Sequence, residues 1–353
     1  MSAPESMAER FGHQTTVQRS SPLYESLLRH CARDIRDQGP TWQLVQDRTT
    51  EPSGNAIPLR LMAAVHRLVL AGQAPELARC YPSVGGQDAP SKAWAAFRSL
   101  LEKRADDLRG VLDRPLQTNE VRRCTPLLVG LAWLGDRTGL PPAVLEIGAS
   151  GGLNLNWHRF RYDGPDGQWG RGDSPVRLSL PAGLSPNLLP AVESRGCDRS
   201  PLDVRDADDR LWLRSCVWAD QTDRLALLDA ALEVAAEHPP SVDASDAAPW
   251  LRARLGEPRP GSVTVVVQTI VQQYLTAQQA DEVAAAVESA GRAASPEAPL
   301  AWLRMEPPDD PGRLSAAAED LAELRVRLWP GGNDRLIAYT GYHGRPVRLL
   351  PVP

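Results

Sequence analysis

Residues 143–156, Ala-Val-Leu-Glu-Ile-Gly-Ala-Ser-Gly-Gly-Leu-Asn-Leu-Asn, constrain the fold more tightly than any other stretch of this chain. They begin with a short apolar run, Val144-Leu145-Glu146-Ile147, bounded by Pro141-Pro142 and by Gly148. A run too short for a helix, with breakers at both ends, predicts a buried strand. Gly148-Ala149-Ser150-Gly151-Gly152 then predicts a tight turn, and Leu153, Leu155 and Trp157 predict the opening of a helix. Strand, glycine-rich turn and helix N-terminus together make a nucleotide cradle. Glycines let the backbone come close to a ligand, and the exposed N–H groups of the helix start face it. The Gly-x-x-Gly-Gly spacing differs from the dinucleotide pattern G-x-G-x-x-G. An acid at the strand end, Glu146, suits the variant of this architecture that holds S-adenosylmethionine, whose amino-acid moiety is cationic. The competing reading is a strand-to-helix turn that binds nothing.

Bulk properties narrow the classes. A chain of 353 residues has room for one large domain or two modest ones, and 42% hydrophobic with 24% charged residues is a soluble globular composition. A net charge of −5 argues against nucleic-acid binding driven by phosphate neutralisation. Lysine occurs only at Lys92 and Lys103, which we ascribe to coding bias. No run has the length of a membrane span, and the N-terminus lacks a charged-then-apolar signal pattern. The five cysteines are scattered without a C-x-x-C pair, as in a reduced, cytoplasmic protein with neither a disulfide framework nor a metal site.

Taken in order, residues 1–20 are polar and read as a flexible tail, with a helical turn near Met7 and Phe11. Residues 21–115 read as helical throughout. Ser21-Pro22 is a cap and a first-position proline, and helical runs follow from Leu23, from Pro58 and over 92–112. Residues 116–353 read as an α/β domain. Its first helix has Thr118 as expected N-cap and Gln117, Asn119 and Glu120 around its start, from which they can cap the helix or face a ligand. A hairpin insertion is expected around 159–190, followed by a second strand over 191–197 that ends at Asp198. An acid there suits the two hydroxyls of a ribose. Asp220 either contacts an adenine or caps the next helix, and 238–249 reads as a mobile polar loop. The β-branched run 262–267 predicts a central parallel strand with Gln268, Gln272 and Tyr274 at its carboxyl end. A further strand ends at Glu306, alternating segments over 324–328 and 336–340 predict an antiparallel pair or meander, and His343 sits in a late turn. The whole predicts a Rossmann-like sheet of the class I methyltransferase type, mostly parallel with its last strand antiparallel, behind an N-terminal helical region.

Several motifs carry a family resemblance. Gln-Thr-Asn-Glu at 117–120, Glu-Ile-Gly-Ala-Ser-Gly-Gly-Leu-Asn-Leu at 146–155, Gly-Cys-Asp-x-x-Pro-Leu-Asp at 196–203 and Val-Trp-Ala-Asp-Gln at 217–221 are four of them. With Trp-Leu-Arg-Met-Glu-Pro at 302–307 and Leu-Trp-Pro-Gly-Gly at 328–332, the chain resembles the bacterial family known as domain of unknown function 2332. The resemblance implies a relative of Rossmann-type methyltransferases with a helical N-terminal part, and no established activity. Family members usually carry His-Ser after the strong strand and Trp-Gln-Tyr-Leu beyond it. Here the positions read Gln268-Thr269 and Gln272-Gln273-Tyr274-Leu275, so if a histidine at 268 serves as a base in the family, this chain lacks it.

The chemistry expected is methyl transfer from S-adenosylmethionine to a small-molecule acceptor, which needs in-line positioning and, for some acceptors, a base. Glu146, residues 148–152 (Gly148, Ala149, Ser150, Gly151 and Gly152) and Asn154 would hold the methionine end, Asp198 the ribose and Asp220 the adenine. Gln117, Asn119, Gln268, Gln272 and Tyr274 would face the acceptor, with His343 as base and Glu306 or Glu120 as alternatives. Neither a nucleic-acid nor a membrane partner is expected. Two rivals stand. One is a serine hydrolase, because Gly148-Ala149-Ser150-Gly151-Gly152 satisfies G-x-S-x-G, with Asp220 or Glu306 and then His343 in triad order. The other is a catalytically silent binding or scaffold protein of the same fold.

Overall fold

The computed structural model describes residues 2–17, 21–52, 56–308 and 321–351. The chain divides into two compact units, Met1–Thr118 with Asp206–Asp229, and Asn119–Arg205 with Ala230–Pro353.

The first unit is helical. It contains α1 (Ala3–Val17), α2 (Pro22–Arg36), α3 (Pro40–Val45), α4 (Ile57–Leu70), α5 (Pro75–Ala78), α6 (Ala93–Lys103) and α7 (Ala105–Val111). The expected tail is therefore largely a helix: Met7, Ala8 and Phe11, spaced along one face of α1, are buried in the core with Leu27, Leu61 and Phe97. Ser21 caps α2 as its position predicted, accepting from Tyr24 N at 3.1 Å. The expected run over 92–112 breaks into α6 and α7 at Arg104, where φ is −120°.

The second unit opens with α8 (Cys124–Thr138), which runs into β1 (Pro142–Ile147). Thr118 does not cap α8. A 3-10 turn, Val121–Arg123, precedes it, and Glu120 caps that turn by accepting from Arg122 N at 3.3 Å. The hairpin β2 (Arg161–Gly164) and β3 (Gly167–Gly170) is present and joins β4 (Arg177–Ser179) in a small three-stranded sheet. β5 (Glu193–Asp198) pairs parallel with β1, so the insertion separates two neighbouring strands. In the chain, α9 (Ala207–Ser215) and α10 (Thr222–Glu237) follow. The expected polar loop over 238–249 instead contains β6 (Ser241–Ala244) and the start of α11 (Ala247–Arg254). Arg195 reaches across from β5 to Asp243 on β6 at 2.8 Å, which helps explain why so polar a strand holds there.

β7 (Val263–Thr269), α12 (Ala277–Arg292), β8 (Leu300–Glu306), β9 (Leu321–Trp329), β10 (Asn333–Gly341) and β11 (Val347–Leu349) complete the unit. The sheet order is β11-β10-β9-β8-β7-β1-β5-β6. The five strands β6-β5-β1-β7-β8 are parallel, as expected of a mostly parallel sheet. The expectation of one reversed strand is corrected: β9, β10 and β11 each pair antiparallel with the strand before. Every residue of β1 and of β7 is buried, which is why both read as continuous apolar runs. Leu145, Ile147, Val266 and Trp302 pack with Leu251 of α11 and Val287 of α12 on one face. α8 covers the other, so close that a Cβ on Gly130 would stand 2.3 Å from Leu303 Cδ1. No helix among the described residues is long and apolar enough to cross a membrane.

Candidate functional site

Strands β5 and β6 lie to one side of β1 and β7 and β8 to the other, so the chain reverses its winding between β1 and β7. In open α/β sheets, ligands bind beyond the carboxyl ends of the strands at such a switch point. The glycine turn leaves β1 there. Gly148, Ser150 and Gly152 have φ of +67°, +55° and +72°. A Cβ on Gly148 would meet Val271 at 2.7 Å, and one on Gly152 would meet Val242 at 2.6 Å. Close protein packing thus explains both glycines. The turn's N–H groups are also used internally. Ala149 N donates to Cys197 O at 3.0 Å, Ser150 N to Asp198 Oδ2 at 2.9 Å, Gly152 N to Ala149 O at 2.7 Å and Leu153 N to Asn119 Oδ1 at 3.1 Å. The expected helix after the turn is a seven-residue 3-10 segment, Leu153–Arg159, so the turn does not lead into a long helix. This is a poor phosphate cradle, since phosphate needs several uncommitted N–H donors.

Asp198 and Asn119 build the turn. Asp198 takes Ser150 N on one oxygen and Ser200 N at 2.9 Å on the other, tying the end of β5 to the turn. A ribose would have to share both oxygens with these amides.

Glu146 is different. Its register partner is Val267, which pairs in turn with Leu303, so it lies on the face covered by α8. It is 4% exposed. Burial pushes its carboxyl up to about 8, against a hydrogen bond from Asn154 and the positive charge of Arg123, while Asp198 adds to the rise. Cys124, first residue of α8, donates its thiol to Asn154 Oδ1 at 3.4 Å and so orients that amide. Glu146 Oε2 is buried with no hydrogen-bond partner. Such an atom carries an unrepaired desolvation cost.

A second group lies on the opposite face, because Gln268 pairs with Ile147 and Arg304, two residues before Glu306. Gln268 is 1% exposed; its Nε2 donates to Gln272 Oε1 at 3.1 Å and its Oε1 has no partner. Glu306 Oε1 accepts from Val271 N at 2.8 Å and Gln272 N at 3.2 Å, while its Oε2 is buried without a partner. Burial raises the Glu306 carboxyl, opposed by those amides, by Gln268 and by Arg123. Between them Ile270 has φ +53°, a conformation hostile to a β-branched residue. Arg123 spans both groups, donating to Thr269 O at 3.1 Å and Tyr342 O at 3.0 Å.

His343 Nδ1 stands 3.2 Å from Glu120 Oε2, with the imidazole side chain 43% exposed. Its turn is pressed onto the 3-10 turn ahead of α8, where a Cβ on Gly344 would lie 2.4 Å from Arg122 O. Tyr274 is surface-exposed at the end of a 3-10 turn. Two expected site residues belong to the helical unit. Gln117 is buried there, and Asp220 reinforces the cap of α2, accepting from Ser21 Oγ at 2.5 Å and Leu23 N at 3.2 Å. Arg123 and Cys124 were missed by the sequence reading; the only hint is a polar Arg122-Arg123-Cys124 step opening an otherwise apolar helix. Ile270 carried no signal at all. Among the described residues, no group of three or more His, Cys, Asp or Glu side chains is placed to hold a metal ion.

The profile of a bacterial family described as "Uncharacterized protein conserved in bacteria (DUF2332)" matches residues 8–348. The chain belongs to this family. No curated protein and no solved structure matches it.

Proposed function

We propose that this DUF2332 protein binds S-adenosylmethionine at the switch point and transfers its methyl group to a small-molecule acceptor. The observation that carries the reading is Glu146 Oε2, a buried carboxyl oxygen with no partner at the end of β1. A ligand ammonium there would supply the missing donor and draw the carboxyl back to its charged form. The glycine turn supports the same ligand. With the N–H groups of Ala149, Ser150, Gly152 and Leu153 already paired, it suits a nucleoside ligand without phosphates. The five parallel strands, with helices on both faces, agree with a class I methyltransferase layout, to which the antiparallel meander is an addition. Glu146 and Asn154 would hold the methionine ammonium. The bound ligand would supply an electrophilic methyl on sulfur, and the protein would orient the acceptor and remove its proton.

The test is calorimetric titration of the folded protein with S-adenosylmethionine and S-adenosylhomocysteine. Micromolar binding that weakens about tenfold or more in Glu146→Gln supports the reading; no heat with either ligand defeats it. Binding with no methylated product from any acceptor would identify a silent binder. One observation favours a hydrolase: Ser150 has φ +55° at the head of a strand, as a nucleophile elbow would, and its hydroxyl is buried. That hydroxyl has no hydrogen-bond partner, so no imidazole activates it in this conformation. Labelling of Ser150 by a fluorophosphonate would reverse the preference.

A further inference from the structure

We infer that Gln268 and Glu306 form the seat for a primary ammonium group of the acceptor substrate, and that Glu306 Oε2 takes its proton. The inference rests on the methyl-transfer reading for the fate of the amine, whereas the seat is argued from its own atoms.

The two side chains leave β7 and β8 on one face of the sheet, and both are held from behind. Gln268 is fixed by its bond to Gln272 Oε1 at 3.1 Å, and Glu306 by the amides of Val271 and Gln272 at 2.8 and 3.2 Å. What each leaves over is an acceptor, Gln268 Oε1 and Glu306 Oε2, buried and without a partner. Two orphaned acceptors call for a hydrogen-bond donor. A carboxylate, phosphate or carbonyl ligand would bring more acceptors and make matters worse, whereas an ammonium brings three N–H donors and a charge that favours ionised Glu306. Arg123, whose charge also opposes the rise of the Glu306 carboxyl, donates to Thr269 O and Tyr342 O.

The same arrangement suits proton removal. Because the backbone amides hold one oxygen, the other keeps a fixed position. In the transfer, an N–H bond breaks and an Oε2–H bond forms. The electron pair stays on nitrogen, leaving a neutral amine beside a protonated Glu306.

The full-length protein would be titrated with n-butylammonium, n-butyltrimethylammonium and butan-1-ol, each alone and with S-adenosylhomocysteine, followed by calorimetry and NMR. The expected result is n-butylammonium binding at least about tenfold tighter than the other two, and about tenfold weaker in Glu306→Gln. That variant keeps an oxygen for the Val271 and Gln272 amides, and an unchanged melting temperature would confirm it. If it does not fold, Gln268→Leu must show the same loss. Equal binding of the trimethyl compound would mean charge attraction without N–H recognition and overturns the proposal. So does unchanged binding in the variant, or no binding of any probe, which would leave a resident water as the occupant. Since these titrations also run without S-adenosylmethionine, a failure here is distinct from a failure of the cofactor reading.

Discussion

Two turns leave the carboxyl edge of the sheet side by side, and they solve the same backbone problem in opposite ways. After β1, the left-handed positions fall on Gly148, Ser150 and Gly152, two of them glycines that adopt such φ without strain. After β7, the left-handed position falls on Ile270, where it costs on the order of 1–3 kcal/mol. The strained turn is held by Ile270 N donating to Met305 O at 2.8 Å and by Glu306 accepting from the next two amides. The N–H groups of Ala149, Ser150, Gly152 and Leu153 are paired inside the protein and one orphaned carboxyl oxygen, on Glu146, lies beside that turn, whereas the turn without glycine stands beside two orphaned acceptors, on Gln268 and Glu306. Gly148 and Gly152 therefore answer to packing, and the strain at Ile270 is held by contacts that also fix Glu306.

The largest effect expected from breaking this contrast is at Gly148. Gly148→Ala puts a methyl 2.7 Å from Val271 in a left-handed conformation. Thermal unfolding should show a loss of about 2–4 kcal/mol. Gly139→Ala is the control: φ is +64° but nothing lies within 4 Å, so the loss should stay near 1 kcal/mol. Equal losses would remove the packing explanation.

Next in size is the buried acid. The carboxyl of Glu146 is raised to about 8 in the folded state, above its unfolded value. The native state therefore holds the extra proton between these values, and this residue's contribution to stability falls as pH rises from about 4.5 to 8. Asn154 and Arg123 oppose the rise while Asp198 adds to it, so the net effect is smaller than burial alone would give. Glu146→Gln, always neutral, should be more stable than the native protein at pH 8 by a few kcal/mol, and about equal at pH 5. A difference independent of pH would show that the acid is not buried as described. The smallest effect is at Ile270. Ile270→Gly relieves the strain that Ile270→Ala retains, so the glycine variant should be the more stable of the two by about 1 kcal/mol, reversing the usual order. Chemical denaturation of the pair decides it.

Much of the sheet was legible because fully buried parallel strands write themselves as apolar runs: 144–147 and 263–267 could be read without ambiguity. β6 was not, because Ser241-Val242-Asp243-Ala244 is a short edge strand fixed partly by the pairing of Arg195 with Asp243. The start of α8 was misplaced because Thr118 and Glu120 are both capping residues, and only tertiary context selects Glu120. At the site, Glu146, Gln268 and Glu306 were found from their places at strand ends. Asp198 and Asn119 were also found, but in sequence a carboxylate or amide that binds backbone looks the same as one that binds a ligand. Asp220 was open between adenine and a cap on the helix that follows it, and the cap it makes is instead on α2, where Leu23 lies 197 residues before it along the chain. Arg123 and Ile270 were invisible because their roles lie in backbone geometry and carbonyl contacts.

The central claim is that a ligand cation completes Glu146. It is tested most directly by calorimetric titration with S-adenosylmethionine at pH 7 in two buffers of different ionisation enthalpy, for the native protein and Glu146→Gln. The native protein should bind with release of close to one proton more than the variant, since the carboxyl must ionise to meet the cation. Binding with the same proton count and affinity in both proteins would contradict the account.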